Sequence, residues 1–151
     1  MIRIAASLAC FSFFVSSGPL RAEIVPKTPE EMRAMATHVI QGKVKGVYSF
    51  SAREGNYQRT HYVAELAVDK IEQGEGLKEK QLIYVRYWTQ RWAGRGLPPP
   101  GTAGHRGLPA VGDAVRVYLV NKGYDGGGDV SDGGFNVVFA DGFEAIKAEK
   151  K

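Results

Sequence analysis

The sequence predicts a mostly β fold: a small barrel of five strands, closed or partly closed, with one short N-terminal helix. A β-sandwich is the alternative. Three observations carry this expectation. From His38 onward apolar residues recur with a period of two rather than 3.6. The apolar pattern alternates instead of running on, which argues for antiparallel strands with one solvated face. Glycines fall inside the strand-like segments, where a small barrel needs its strands to bend. Turn spacing does not separate barrel from sandwich, because both are built of short strands at regular intervals.

The helix comes first. Thr28 can cap it, Pro29 suits its first position, and Glu31 completes a capping box. It runs through Met32, Met35 and Ala36 and is expected to sit as a lid on one end of the core. A solvated first turn accounts for Glu30 and Glu31, since carboxylates favour the positive helix end. Val39 to Phe50 is the first strand, with Gly42 and Gly46 as bend or bulge points. Ser51 to Arg59 is polar and carries the turn signal Glu54-Gly55-Asn56. His61 to Ile71 is the second strand, ended by Gln73-Gly74-Glu75-Gly76. Gln81 to Tyr87 is the third, and Ala114 to Val120 the fourth, with Val115, Val117 and Leu119 on one face. Gly123 to Gly134 reads as an irregular loop. Phe135 to Phe139 is the fifth strand, and Asp141-Gly142 turns the chain into Phe143 to Ile146 before a charged tail from Lys147.

Residues 1 to 22 read as a secretory signal. Arg3 supplies the basic start, Ile4 to Val15 the apolar run, and Ser16 to Ala22 a small, polar exit with cleavage expected after Ala22. The run is shorter than the roughly 20 apolar residues a membrane span needs. Cys10 is the only cysteine and lies in this segment, too early for a lipoprotein signal to precede it. The remaining residues 23–151 are expected to form one domain without disulfide, thiolate nucleophile or cysteine-bound zinc. An exported bacterial protein, periplasmic or secreted, fits that cysteine usage. Without Arg3 and Arg21 the balance is 18 basic against 16 acidic residues, or +2, which gives little support to nucleic-acid binding.

The pattern Ala36-x-x-Val39-Ile40-x-Gly42-x-Val44, then Tyr62-x-x-x-Leu66-x-Val68, then Gly74 before Ile83-x-Val85, resembles the first half of netrin-like and metalloprotease-inhibitor OB-fold domains over residues 36–87. The resemblance implies a small five-stranded OB-like barrel. In the inhibitors an N-terminal cysteine ligates the target's zinc and disulfides pin the barrel; the chain after residue 22 has no cysteine, so that mechanism does not carry over. GHRGLPAVGDAVRVYL and DGGFNVVFADGFEAI, in the second half, resemble a family of uncharacterised secreted bacterial proteins that implies no activity.

Tyr87 to Gly112 stands out as a long stretch without helical or strand period, and connections of this length are usually functional or disordered. Tyr84, Tyr87, Trp88 and Trp92 interleave there with Arg86, Arg91 and Arg95. Such a set can form a stacking surface with a cationic rim for sugars, bases, phosphate, sulfate or carboxylate. It can equally close the barrel end, with the arginines stacked on Trp88 and facing water. Pro98-Pro99-Pro100 would stiffen either arrangement. His105 and Arg106 can act as base or ligand, or bond carbonyls that the loop leaves unpaired. No histidine spacing of a zinc site occurs. Asp125, Asp129 and Asp132 among glycines suggest a calcium loop but miss the EF-hand positions, and suit a plain turn as well. Glu65 and Asp69 share one strand face and are expected to be solvated.

No nucleophile elbow or phosphate-binding loop is present. The expected function is therefore non-enzymatic binding of an anionic glycan, a peptide or an exported partner protein, without cofactor or metal. The site would be Tyr84, Arg86, Trp88, Arg91, Trp92, Arg95, His105 and Arg106. The alternatives are a hydrolase acting through His105 with Asp113 or an aspartate of the later loop, and an assembly protein with no small ligand.

Overall fold

The computed structural model describes residues 26–99, 104–121 and 134–146. Within them helix α1 (Pro29–Met35) precedes β1 (His38–Glu54), β2 (Tyr57–Gln73), β3 (Leu82–Trp92), β4 (Ala114–Val120), β5 (Phe135–Val137) and β6 (Phe143–Ala145). The signal-like segment with Cys10, Pro100, the Asp125, Asp129 and Asp132 loop and the tail from Lys147 lie outside the described residues.

The chain is mostly β, as its alternation predicts. One mixed sheet has the order β1-β2-β3-β5-β4-β6, and β1 also pairs with β4, so five strands form a ring with β6 added to β4. Among the described residues only the β3–β5 pairing is parallel. A five-stranded, thinly closed ring fits an OB-like fold, and its two opposed halves fit a sandwich equally well. Inside lie Ile40, Val44, Ala64, Leu66, Val68, Ile83, Val85, Val117 and Leu119, all buried. They alternate with outward residues on every long strand, as the pleat requires.

The helix begins as its sequence predicts. The Thr28 hydroxyl accepts from the Glu31 N–H at 3.2 Å, and the Glu31 carboxylate accepts from the Thr28 N–H at 2.9 Å. It is not a lid on the end of the ring, however. Met32 and Ala36 pack with Val39, Tyr118 and Val138 in a second cluster, on the side of β1 and β4 that faces away from the first core. Val39 and Tyr118 are register partners, so the helix covers the outer surface where the ring closes.

Two strands run further than the polarity of their sequence suggests. Ser51 to Arg59, read as a polar connection, is paired throughout except at Gly55-Asn56. Gly55, at φ +59°, takes the first central position of this tight turn, where a II′ hairpin requires positive φ. The third strand continues past Tyr87 to Trp92, because each of its residues finds a partner on β2 as far as Tyr57. The predicted bulges at Gly42 and Gly46 coincide with two register shifts between β1 and β2. Gly42 also allows close approach: a Cβ there would lie 2.6 Å from the Ala67 carbonyl oxygen.

β4 pairs with β1 only from His38 to Lys43. Beyond that point β2 is the only described strand that β1 pairs with, and β1, β2 and β3 continue as a three-stranded antiparallel ribbon. Its β3 side still meets β5 at Val85 and Arg86 and the 104–105 segment at Trp88 and Thr89. This ribbon carries the candidate site.

Candidate binding face

Register places side chains of equal parity in rows across the ribbon. On the face turned away from the core the rows are Gly46–Glu65–Tyr84, Tyr48–Val63–Arg86, Phe50–His61–Trp88, Ala52–Arg59–Gln90 and Glu54–Tyr57–Trp92. The middle row is aromatic throughout. Phe50 stacks on His61 with centroids 4.9 Å apart and planes at 11°. The Arg59 guanidinium lies over the Trp88 ring at 4.8 Å. The same guanidinium bonds Glu54 at 2.9 Å and Gln90 at 3.2 Å. Tyr57 meets Trp92 edge to face at 5.1 Å.

This face is open. Tyr48, Phe50 and Tyr84 are 59%, 64% and 50% exposed. Three large rings on one sheet face with that much exposure are unusual, since cores claim such residues first. The charge is local too. Residues 45–65 and 84–95 hold six basic side chains (Lys45, Arg53, Arg59, Arg86, Arg91, Arg95) against Glu54 and Glu65. All other positions of the chain balance, fourteen basic against fourteen acidic, so the whole net charge of +4 belongs to the ribbon and the connection that follows β3.

The eight sequence-predicted site residues do not form one surface. Tyr84, Arg86, Trp88 and Trp92 share the outward face. Arg91 has the opposite parity and is exposed on the other side of the ribbon. Arg95 is exposed in the connection after β3. The Trp92 indole N–H donates to the Gly96 carbonyl at 3.2 Å, and a Cβ on Gly94 would lie 2.4 Å from its ring, so Trp92 holds its own loop. Arg86 runs beside Gly134, where a Cβ would come within 2.7 Å of its guanidinium.

His105 and Arg106 belong elsewhere. His105 is buried, and its polar neighbours are main-chain groups: the Trp88 N–H at 3.2 Å and carbonyl at 3.0 Å from Nδ1, and the Val137 carbonyl 3.3 Å from Nε2. Its ring meets Tyr87 and Trp88 edge to face at 6.2 and 5.9 Å. The tautomer protonated on Nε2 donates to Val137 while Nδ1 accepts from Trp88. This is the structural role that an irregular loop requires of a polar side chain. Asp113, its suggested partner in hydrolysis, accepts from the Ala110 N–H at 2.8 Å and closes the 110–113 turn. Arg106 is exposed, with Nε 4.0 Å from Asp141. No group of three or more histidine, cysteine or carboxylate side chains suited to a metal occurs among the described residues, and no described helix is long and apolar enough to cross a membrane.

Five members of the face escape a reading centred on the tryptophans: Tyr48, Phe50, Tyr57, Arg59 and His61. Their signal is period two, Tyr48-x-Phe50 and Tyr57-x-Arg59-x-His61, obscured by a turn-like composition.

A second polar cluster lies beside the helix. Glu72 accepts from Arg33 at 2.6 Å, from Arg116 at 2.9 Å and from Gln41. Glu144 accepts from Arg116 at 3.2 Å and from the Tyr118 hydroxyl at 3.0 Å. Burial pushes the Glu72 carboxyl up, but the hydrogen bonds from Gln41, Arg33 and Arg116 outweigh it and bring its pKa down to about 2. Every member is engaged, so the cluster fastens β1, β2, β4, β6 and α1 together and offers no vacant donor set.

No family model, curated protein or solved structure matches this chain.

Proposed function

We propose that this protein is an exported, non-enzymatic binding module whose outward β1–β3 face takes an anionic ligand. The supporting observation is the Phe50–His61–Trp88 row with Arg59 stacked on Trp88, set in a ribbon with five basic side chains against two acidic ones. Aromatic faces stack on flat or apolar ligand surfaces, and a guanidinium held in place adds paired hydrogen bonds to carboxylate, sulfate or phosphate. Export rests on the signal-like residues 1–22, and kinship with netrin-like OB domains on the pattern in residues 36–87, with which a five-stranded ring is compatible. The bonding of His105 and Asp113 favours binding over hydrolysis through that pair.

Tryptophan fluorescence titrated with heparin and with poly-glutamate tests the reading. Saturable quenching is expected, weakening as salt rises. Trp88→Phe and Arg59→Ala should reduce affinity about tenfold or more, the scale of one charge-assisted contact set. Lys78→Ala, on the connection between β2 and β3, should not. Absence of binding to either polyanion overturns the proposal.

A further inference from the structure

The edge of the ribbon is itself a recognition element. The 110–113 turn takes over from β4 at Val44, whose N–H donates to Asp113 O and whose carbonyl accepts from Gly112 N, both at 2.9 Å. From Gly46 to Glu54, β1 pairs with β2 alone. Glu54 and Tyr57 flank a two-residue turn and therefore exchange both hydrogen bonds, and register is unbroken back to Gly46. Tyr48, Phe50 and Ala52 thus point their peptide groups at β2, while Val47, Ser49, Ser51 and Arg53 point theirs to the open side. Those four have no main-chain partner among the described residues. An edge of this length, about 20 Å at 3.4 Å per residue, is normally shortened, covered or broken by proline. This edge has none of those devices among the described residues, and keeps only Lys45 and Arg53 at its ends.

Those charges choose the occupant. A second copy pairing antiparallel about Ser49 would set Lys45 opposite Arg53, and like charges directly opposite are destabilising. Two ribbons of net positive charge would also repel at longer range. An acidic strand gains where a second copy loses. Residues placed opposite Val47, Ser49, Ser51 and Arg53 would share their face, which runs from half-buried Val47 through two serines to the cationic Arg53. Residues between them would pack beside the exposed rings of Tyr48 and Phe50.

We propose that an extended segment of a partner protein, alternating acidic and apolar residues, adds to the sheet along Val47–Arg53 of β1. In such strand addition, main-chain bonds supply affinity and alternate side chains supply specificity. The proposal deepens the binding function above and rests on it.

The probe is a nine-residue peptide alternating glutamate and valine, titrated calorimetrically. In the antiparallel pairing the glutamates face Ser49 and its like, so their amides bond β1 and the valine amides face outward. Binding is expected for the parent peptide and for a version N-methylated on valine. The version N-methylated on glutamate should lose about tenfold or more, because two or three main-chain bonds go. Ser51→Pro, which removes one outward N–H from an edge position that tolerates proline, should weaken the parent peptide similarly. The peptide comparison on the unaltered protein decides the matter even where that variant fails to fold. Equal binding of all three peptides, or binding of heparin without any peptide, overturns strand addition and leaves the anionic face standing. Binding of neither peptide nor heparin removes both.

Discussion

Arg59 lies over the indole of Trp88 with its guanidinium carbon 4.8 Å from the ring, and Glu54 and Gln90 hold it there from the neighbouring strands. The register makes this geometry possible, because Arg59 is diagonal to Trp88 on the same face and long side chains reach across such diagonals.

Arg59→Lys keeps the charge but loses the planar stack and the fork. Stability should fall by about 1 kcal/mol, since a half-exposed cation–π contact is worth about 0.5–1 kcal/mol and the stem also packs. Urea unfolding followed by tryptophan emission checks this, and an unchanged midpoint would show that the stack does not persist in solution.

Tyr87 carries a buried phenol without a hydrogen-bond partner. Its ring stacks on Tyr62 at 4.9 Å, and burial, with the neighbouring Tyr62, pushes its pKa up to about 12. Removing the hydroxyl abolishes a desolvation penalty and no bond. Tyr87→Phe should therefore be neutral or stabilising by up to about 1 kcal/mol, whereas loss of a bonded hydroxyl costs about that much. Thermal unfolding that drops in the variant would contradict the geometry.

Glu72 makes stability depend on acid. Its folded pKa, about 2, lies below the ordinary 4.5. The stabilisation it contributes is therefore complete above about pH 5 and is lost as pH falls from 4.5 through 2. Arg33 and Arg116 are partly exposed, so solvent screening trims the effect to the order of 2 kcal/mol. Glu72→Gln should be less stable at pH 7 and should show a flatter decline below pH 4.5. Parallel pH profiles for the two proteins would refute the role of this carboxylate.

His105→Ala should cost about 2–3 kcal/mol, because it leaves the Trp88 N–H and the Val137 carbonyl without their side-chain partner beneath the loop. The His105 ring also meets the Trp88 indole edge to face at 5.9 Å, so the folded variant should keep heparin binding and weaken it less than Trp88→Phe does. A stable variant that has lost binding would instead make His105 part of the site.

Local chemistry carried much of this molecule from its sequence. The capping box at Thr28 and Glu31, the turn at Gly55-Asn56 and the bulges near Gly42 and Gly46 depend on residues close together in the chain. The alternation of Tyr62, Ala64, Leu66 and Val68 likewise announces a strand and its buried face. Tyr84, Arg86, Trp88 and Trp92 were legible as candidates because aromatic and cationic residues crowd together there. Tertiary pairing decided the rest. Only the register of β2 with β3 shows that Arg91 faces away from Trp88 and that Arg59 belongs over it. Only the end of β4 pairing at Lys43 opens the edge of β1. Phe50, His61 and Trp88 come from three different strands, and a one-residue slip of either pairing would disperse them. Residue type and spacing determine strands and turns within a few positions, but adjacency across a sheet is set by where non-local pairing begins and stops.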